Sequence, residues 1–328
     1  MPRSIVAGCA ALTLALSVVG YGHAQEASYP NKPVRLLIGF PAGGLLDTVS
    51  RIVGERMSAL LGQPFVVEAR PGAGGLVATT ALAKAAPDGY TIGIGTTGPM
   101  SINPYLIGSK VPYDPNKDFA AIGQYGIGPN VIVVNAGIPA RTLPELIALA
   151  KAKPGTISYA SSSGIGSTAH LAGELLGSVA GIDIVHIPYK GNAEGVTALL
   201  AGQVQMAISG LPPMIAHIQA GKLRALAVTG PSRMAQLPDV PTVTEIGFKD
   251  IDVSAWYGVV APAGTPPDIV AKLHAAFEKA IARPEVRERF LATGTEPYIT
   301  SPKAFADLIR SDGTRWAAVI RKANVKAE

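Results

Sequence analysis

A chain of 328 residues that is 48% hydrophobic carries more apolar material than one ordinary core needs, so it reads as two domains. Its net charge of +5 is modest, and the C-terminal basic residues (Lys272, Lys279, Arg283, Arg287, Arg289, Arg310, Arg315 and Arg321) alternate with Glu278, Glu285, Glu288, Asp307 and Asp312, which describes a solvated helical face and not a nucleic-acid stripe. With 37 glycines, 27 prolines and 6% aromatics, the composition favours short elements and tight turns, and no run after residue 24 is long and apolar enough to span a membrane.

Residues 1–24 stand apart. Arg3 precedes an apolar run to Gly20, and small residues at Gly22 and Ala24 complete the pattern of a secretory signal. Val6-Ala7-Gly8-Cys9 weakly resembles a lipoprotein box, but too few residues precede it, so no lipid anchor is expected. Cys9 is the only cysteine, so the exported chain has none and must rely on its core. The expectation is a soluble protein outside the cytoplasm.

The first strand is predicted over 34–40. A helix follows, with Leu46, Val49, Ile52, Val53, Met57, Leu60 and Leu61 on one face. A strand at 65–68, a helix at 76–86 and a strand at 90–96 make a βαβαβ order that argues for a parallel sheet. Residues 97–115 read as irregular. Two strand-like runs between 119 and 134 are broken at Gly126-Ile127-Gly128-Pro129. Thr142-Leu143-Pro144-Glu145 is a capping box opening a helix that Pro154-Gly155 stops. Strands at 157–160, 182–187, 204–208 and 223–229 then alternate with helices at 167–179, 192–201 and 212–220. The chain is irregular to about 250 and returns as a strand at 256–261. Thr265-Pro266-Pro267-Asp268 caps a helix to 283, Pro284 opens a short one, and Ser301-Pro302 opens the last. Breaks near 126 and 230 divide the chain into a discontinuous lobe, 25–125 plus 231–328, and an inserted lobe, 126–230. Two such lobes are able to close on a ligand by hinge motion.

Each lobe carries one strand–glycine–helix junction. The first is Phe40-Pro41-Ala42-Gly43-Gly44-Leu45-Leu46-Asp47. The second is Ser161-Ser162-Ser163-Gly164-Ile165-Gly166-Ser167-Thr168-Ala169-His170. A helix start leaves N–H groups unpaired, and with the helix dipole they favour an anion by about 0.3–1 kcal/mol when exposed. Glycines let backbone approach a ligand, and the serine and threonine hydroxyls are able to donate to a carboxylate. Asp47 reads either as a general base or as a first-turn acid bracing its loop.

Other motifs carry less. Gly93-Ile94-Gly95-Thr96-Thr97-Gly98 matches GxGxxG, but Pro99 and Pro104 follow where the helix should begin. Gly164–169 matches GxGxxA, yet the next strand does not end on an acid. No GxSxG elbow exists, and no His, Cys or carboxylate spacing suggests a metal.

Several segments together resemble the tripartite tricarboxylate transporter substrate-binding family, also called the Bug family of periplasmic receptors. They include Tyr29-Pro30-Asn31-Lys32-Pro33, Phe40 to Asp47, Arg70-Pro71-Gly72-Ala73-Gly74-Gly75, Pro87-Asp88-Gly89-Tyr90-Thr91, Asn103-Pro104 and Tyr113-Asp114. They continue with Ser162-Ser163-Gly164-Ile165-Gly166 and His170, Pro188-Tyr189-Lys190-Gly191, Leu237-Pro238-Asp239-Val240-Pro241-Thr242 and Trp256-Tyr257-Gly258. The resemblance spans essentially the whole chain after the signal. It implies an α/β, two-lobed Venus-flytrap fold of the periplasmic-binding (type II-like) kind, in which one loop from each lobe holds a carboxylate through backbone amides and ordered waters.

Carried onto this sequence, the implied ligand residues are Phe40, Pro41, Ala42, Gly43, Gly44 and Asp47 from the first loop. Ser161, Ser162, Ser163, Gly164, Gly166, Ser167, Thr168 and His170 come from the second, and Thr96 and Thr97 complete the pocket. The family often has acids where this chain has Gln205 and Ser209. If that segment reaches the ligand through Ser209, a cation-bearing ligand such as an amino acid loses a partner, and a plain carboxylate is expected. The implied partners are the membrane subunits of a tripartite transporter or a sensor, with no cofactor, metal or nucleic acid, and the protein is expected to be a periplasmic monomer. The competing reading is a secreted α/β hydrolase or esterase using a hydroxyl of Ser161–163 with His170.

Overall fold

The computed structural model describes residues 29–161, 164–189, 191–251, 253–322 and 325. The signal at 1–24, with Cys9, lies outside the described residues, as do Ser162, Ser163 and Lys190. The first half runs β1 (Val34–Ile38), α1 (Leu45–Leu61), β2 (Phe65–Ala69), α2 (Leu76–Ala83), β3 (Thr91–Thr96), α3 (Asn103–Leu106), β4 (Phe119–Pro129), β5 (Val131–Asn135) and α4 (Leu143–Ala152). Next come β6 (Ile157–Ser161), α5 (Thr168–Ala180), β7 (Ile184–Pro188), α6 (Asn192–Leu200), β8 (Met206–Ser209), α7 (Ile215–Gln219) and β9 (Leu223–Val228). The chain closes with β10 (Ser254–Pro262), α8 (Pro267–Ile281), α9 (Pro284–Ala292), β11 (Glu296–Pro297) and α10 (Pro302–Lys322).

The strands form two sheets. The six-stranded sheet has the order β11-β4-β10-β3-β1-β2, and the five-stranded sheet has β7-β6-β8-β5-β9. Neither is all-parallel as expected. β1, β2 and β3 run parallel, whereas β10 runs antiparallel to both β3 and β4. In the second sheet β6 is parallel to β7 and β8, while β5 is antiparallel to β8 and β9. The antiparallel members arise because β4 and β10 carry the chain between sheets and not through a helical crossover.

Three local expectations are corrected. The segment after β3 is not irregular: Gly98–Ile102 forms a π-helical turn that runs into α3. Pro99 and Pro104 sit at the first positions of these helical segments, where a missing N–H costs nothing, so they open the structure they seemed to forbid. The Gly126–129 stretch does not break a strand. β4 continues to Pro129, and Gly128 makes room for a ring on β10, since a Cβ there would lie 2.2 Å from the Tyr257 hydroxyl. Thr265 does not cap α8; its hydroxyl donates to the Pro262 carbonyl at 2.7 Å. The capping box at Thr142 forms as written, with Oγ1 accepting from the Glu145 N–H at 3.3 Å.

Each sheet has its own core. Leu36, Ile38, Val49, Met57, Ile92, Tyr125 and Phe277 pack in one, and Ile132, Val134, Leu146, Tyr159, Leu171, Met206 and Ile208 in the other. Val243, Ile251 and Val253 pack in the second core, although they follow β9. α10 joins both regions. Its Phe305 and Ile309 pack with Trp256 and Met100 on the six-stranded sheet, whereas Trp316 and Ile320 belong to the core of the five-stranded one.

Candidate functional site

The C-terminal ends of the parallel strands from both sheets open onto one cleft of about 640 Å³, inside the range of small-molecule sites. From the six-stranded sheet come Phe40 to Leu46, between β1 and α1, and Thr96, Thr97 and Gly98 at the end of β3. The five-stranded sheet supplies Gly166 to Ala169, at the start of α5, and Gly191, Asn192 and Ala193, at the start of α6. Among the described residues, no charged side chain lines this cleft.

Its polarity comes from main-chain groups and from neutral side chains such as Asn130, Asn192 and Thr293. α1 starts at Gly44 with no side chain capping it, so its first-turn N–H groups lack a side-chain partner where Leu45 and Leu46 line the cleft. α6 starts at Gly191, also without a side-chain cap. α5 starts at Ser167, whose Oγ accepts from the His170 N–H at 3.1 Å, leaving the earlier N–H groups of Thr168 and Ala169 on the wall. Three helix N-termini thus meet one cavity, each favouring negative charge by up to about 2 kcal/mol when partly buried.

Two hydroxyls reinforce this bias. Thr96 Oγ1 is buried and has no hydrogen-bond partner among the described residues, although Thr96 lines the cavity. Thr97 Oγ1 accepts the Trp256 N–H at 2.9 Å. Burial pushes the Tyr257 phenol up from its ordinary value, so this wall residue is a neutral hydroxyl at pH 7.

The expected site residues divide by location. Phe40, Pro41, Ala42, Gly43, Gly44, Thr96, Thr97, Gly166, Ser167 and Thr168 line the cleft. Asp47, Ser161, Gly164, His170 and Ser209 do not. Asp47 lies behind the first loop, where its Oδ2 accepts the Gly43 N–H at 2.9 Å and both oxygens accept from Arg51 Nε. The Arg51 hydrogen bond is the main reason its carboxyl is held below the usual range. Gly43 has φ +77° and open space around its Cβ position, so this loop needs glycine for conformation and not for room.

His170 faces away from the cleft into its own loop. Its Nδ1 accepts the Gly166 N–H at 3.3 Å, which fixes the neutral ring as the Nε2–H tautomer. It stacks on His186 with centroids 4.2 Å apart, and His186 Nε2 lies 2.7 Å from Ser161 Oγ. Burial, and then the neighbouring His186, pushes His170 down to about 3, while burial takes His186 down to about 4. Both rings are neutral at pH 7. This overturns the hydrolase reading for the described residues. Ser161 is fully buried and paired with His186, not His170, and none of the three touches the cleft. Ser162 and Ser163 lie outside the described residues.

Ser209 ends β8 with its Oγ buried and without a hydrogen-bond partner among the described residues, Gln205 Oε1 accepts from Ser158 N–H and Oγ–H, and Gly210, just past the strand, is the residue that lines the cleft. Several wall elements escaped sequence reasoning, among them the start of α6, Asn130, Tyr257, the Gly210–Pro213 turn and Ala292 to Gly294. The start of α6 follows β7 through Pro188-Tyr189-Lys190-Gly191-Asn192, the same strand–glycine–helix pattern as the other two, so its signal was present. Asn130 and Tyr257 carry no local signal, because the crossing of two sheets brings them to the wall. Among the described residues no three His, Cys, Asp or Glu side chains cluster to hold a metal.

The model of the tripartite tricarboxylate transporter receptor family matches residues 49–325. The Bordetella pertussis protein BugT is 37% identical over 300 residues, covering 91% of each chain. Two solved structures share the two-lobed α/β fold. MatC from Rhodopseudomonas palustris, with bound malate, is 32% identical with a TM-score of 0.81 over 89% of this chain and 100% of its own. Another R. palustris protein, solved with adipate, is 32% identical with a TM-score of 0.84 over 91% of this chain and 99% of its own.

Proposed function

This chain belongs to the tripartite tricarboxylate transporter receptor family, and from that premise we propose that it closes its two lobes on a small organic carboxylate and hands it to the membrane subunits of such a transporter, or presents it to a sensor. The observation that carries this reading is the convergence of three helix N-termini on a cleft without charged side chains among the described residues. The relatives solved with malate and adipate support the same ligand class. The protein acts as a receptor and not an enzyme, as a monomer in the periplasm, exported by the signal at 1–24. Its lobes are the two sheets with their helices, close to the expected 25–125 plus 231–328 and 126–230, except that β4 runs on to Pro129 in the first and Met234, Leu237, Val243 and Ile251 pack with the second. The strand order supports this, since β1–β4, β10 and β11 share one sheet and β5–β9 the other. The crossings themselves fall at Asn130 and between Thr229 and Ser254.

The ligand contacts of this reading are the loop from Phe40 to Gly44, Thr96 and Thr97, Gly166 to Thr168 and the start of α6. Asp47, Ser161, Gly164, His170 and Ser209 support the walls from behind. The described wall residues carry no charge and disfavour an ammonium group, which would lose water and gain no anion from them. Malate is therefore expected to bind at least about tenfold more tightly than aspartate, the same skeleton with an amine. A thermal-shift screen of dicarboxylates, tricarboxylates and aromatic acids, followed by calorimetry on that pair, tests the reading. Stabilisation by an intact acid without turnover supports it. No stabilisation by any acid, or tighter binding of aspartate, overturns it.

A further inference from the structure

The backbone passes between the two sheets at Asn130 and between Thr229 and Ser254, and side chains lace these crossings together. The Asn130 N–H donates to Thr229 Oγ1 at 3.0 Å, and the Thr229 N–H returns to the Asn130 carbonyl at 2.9 Å. Thr229 Oγ1 in turn donates to the Val253 carbonyl at 2.6 Å. Asn130 Nδ2 also reaches Val253 O, at 3.4 Å, and Thr168 Oγ1, at 3.2 Å. Asn130, Thr168 and Thr229 are each more than nine-tenths buried, at 6%, 7% and 0% exposure.

The direction of these bonds follows from chemistry. A carbonyl only accepts, so the Asn130 amide must turn its nitrogen toward Val253. That nitrogen has two hydrogens, and Thr168 takes the second. Thr168 Oγ1 is then an acceptor toward Asn130 and keeps its own proton for another partner. Thr168 lines the cleft at the first residue of α5, whose first-turn N–H groups belong to the same wall. Thr97, in the other wall, is arranged alike: its oxygen accepts the Trp256 N–H.

We propose that Asn130 is a positioning residue that aims the Thr168 hydroxyl proton into the cleft as a donor to the bound anion and ties that donor to both inter-sheet crossings. This rests on the carboxylate reading above. Contact of the anion with Thr168 is thereby transmitted to Asn130 and from it to Thr229 and Val253, so occupancy of the site and the angle between lobes are coupled through one side chain.

The test has two arms. In the first, malate and adipate are titrated by calorimetry into wild type, Thr168→Ser, Thr168→Val, Asn130→Ala, Asn130→Asp and the Thr168→Val/Asn130→Ala double variant. Thr168→Ser keeps the donor and stays within about threefold of wild type, while Thr168→Val loses about tenfold. Asn130→Asp, whose carboxylate takes the Thr168 proton and adds charge to the wall, loses about 100-fold or more. The double variant binds no worse than Thr168→Val alone. Additive losses, or Asn130→Asp binding as well as Asn130→Ala, overturn the proposal.

The second arm needs no ligand. Spin labels at Leu60→Cys and Val179→Cys, exposed positions on the two lobes, report the distance between them by double electron–electron resonance. Asn130→Ala broadens that distribution while Asn130→Ser, which keeps a hydroxyl donor, narrows it again. An unchanged distribution in a folded Asn130→Ala protein overturns the coupling. If wild type binds neither malate nor adipate, the same titrations are run with the acid that stabilises it most in the thermal-shift screen; if no acid does, the carboxylate reading fails, and the second arm alone decides the role of Asn130.

Discussion

Asp47 sits one layer behind the cleft wall, and its two partners define what it does. It holds the Gly43 N–H and Arg51 Nε, so the loop before α1 is braced by a buried carboxylate and not by a cap. Its pKa is lowered on folding, so this brace is fully present above about pH 4, the unfolded carboxyl value, and is lost only as pH falls through the lower folded value. Asp47→Asn keeps an acceptor for Gly43 and loses the charge paired with Arg51, so affinity for a carboxylate falls in part, by about tenfold or less. Gly43→Val forces a β-branched residue to φ +77°, about 1–3 kcal/mol of strain with no clash to break the core, so binding is abolished while the fold is retained. Calorimetry with circular dichroism on both variants separates the two outcomes. At this scale the sequence was readable where glycine, threonine and a helix start coincide, as at Gly43, Thr96 and Thr168. It was not readable at His170 and Ser209. Which way the first turn of α5 faces depends on a neighbour, His186 on β7, that only the assembled sheet brings into contact with His170.

Among the elements, α10 has the widest reach. Ser301 starts it, with Oγ accepting the Ala304 N–H at 3.2 Å, and its apolar face then packs on one sheet through Phe305 and on the other through Trp316. Between these two points Asp312, pushed up by burial, accepts the Trp256 indole N–H at 2.8 Å. Trp316→Ala removes a side chain that is 1% exposed and is expected to cost about 3–5 kcal/mol, read as a lower denaturation midpoint in urea. The helix itself was visible in its periodicity and its Ser-Pro start. Its role as a tie between two cores was not, because periodicity reveals that a face is buried and not what buries it. The same limit explains the π-helical turn at Gly98–Ile102 and the continuous β4. Proline and glycine signal punctuation locally, yet here they serve a first turn and a neighbour's ring.

For the whole molecule, the buried histidine pair sets the acid limit. Both folded values lie below the ordinary value of 6.5, so the unfolded chain binds protons that the folded chain refuses. The stabilisation is complete above pH 6.5 and is lost progressively as pH falls toward about 4 for His186 and about 3 for His170. Each histidine costs up to about 1.4 kcal/mol per pH unit over that window. The melting temperature is therefore expected to drop steadily below pH 6, and His186→Gln to flatten that limb; an equally steep limb in the variant would place the proton uptake elsewhere.

A cleft wall without charged side chains among the described residues bears on how such a receptor diverges. Donors that belong to the peptide backbone are not encoded by any one side chain, and only a proline takes an N–H away. Preference for negative charge is therefore stored in the chain's path, out of reach of most single substitutions. Pro212, Pro213, Ala255 and Ala292, which face the same cavity, are ordinary replaceable side chains that shape the space for the rest of the ligand. The carbon skeleton admitted is free to drift by point substitution while the demand for an anion stays fixed.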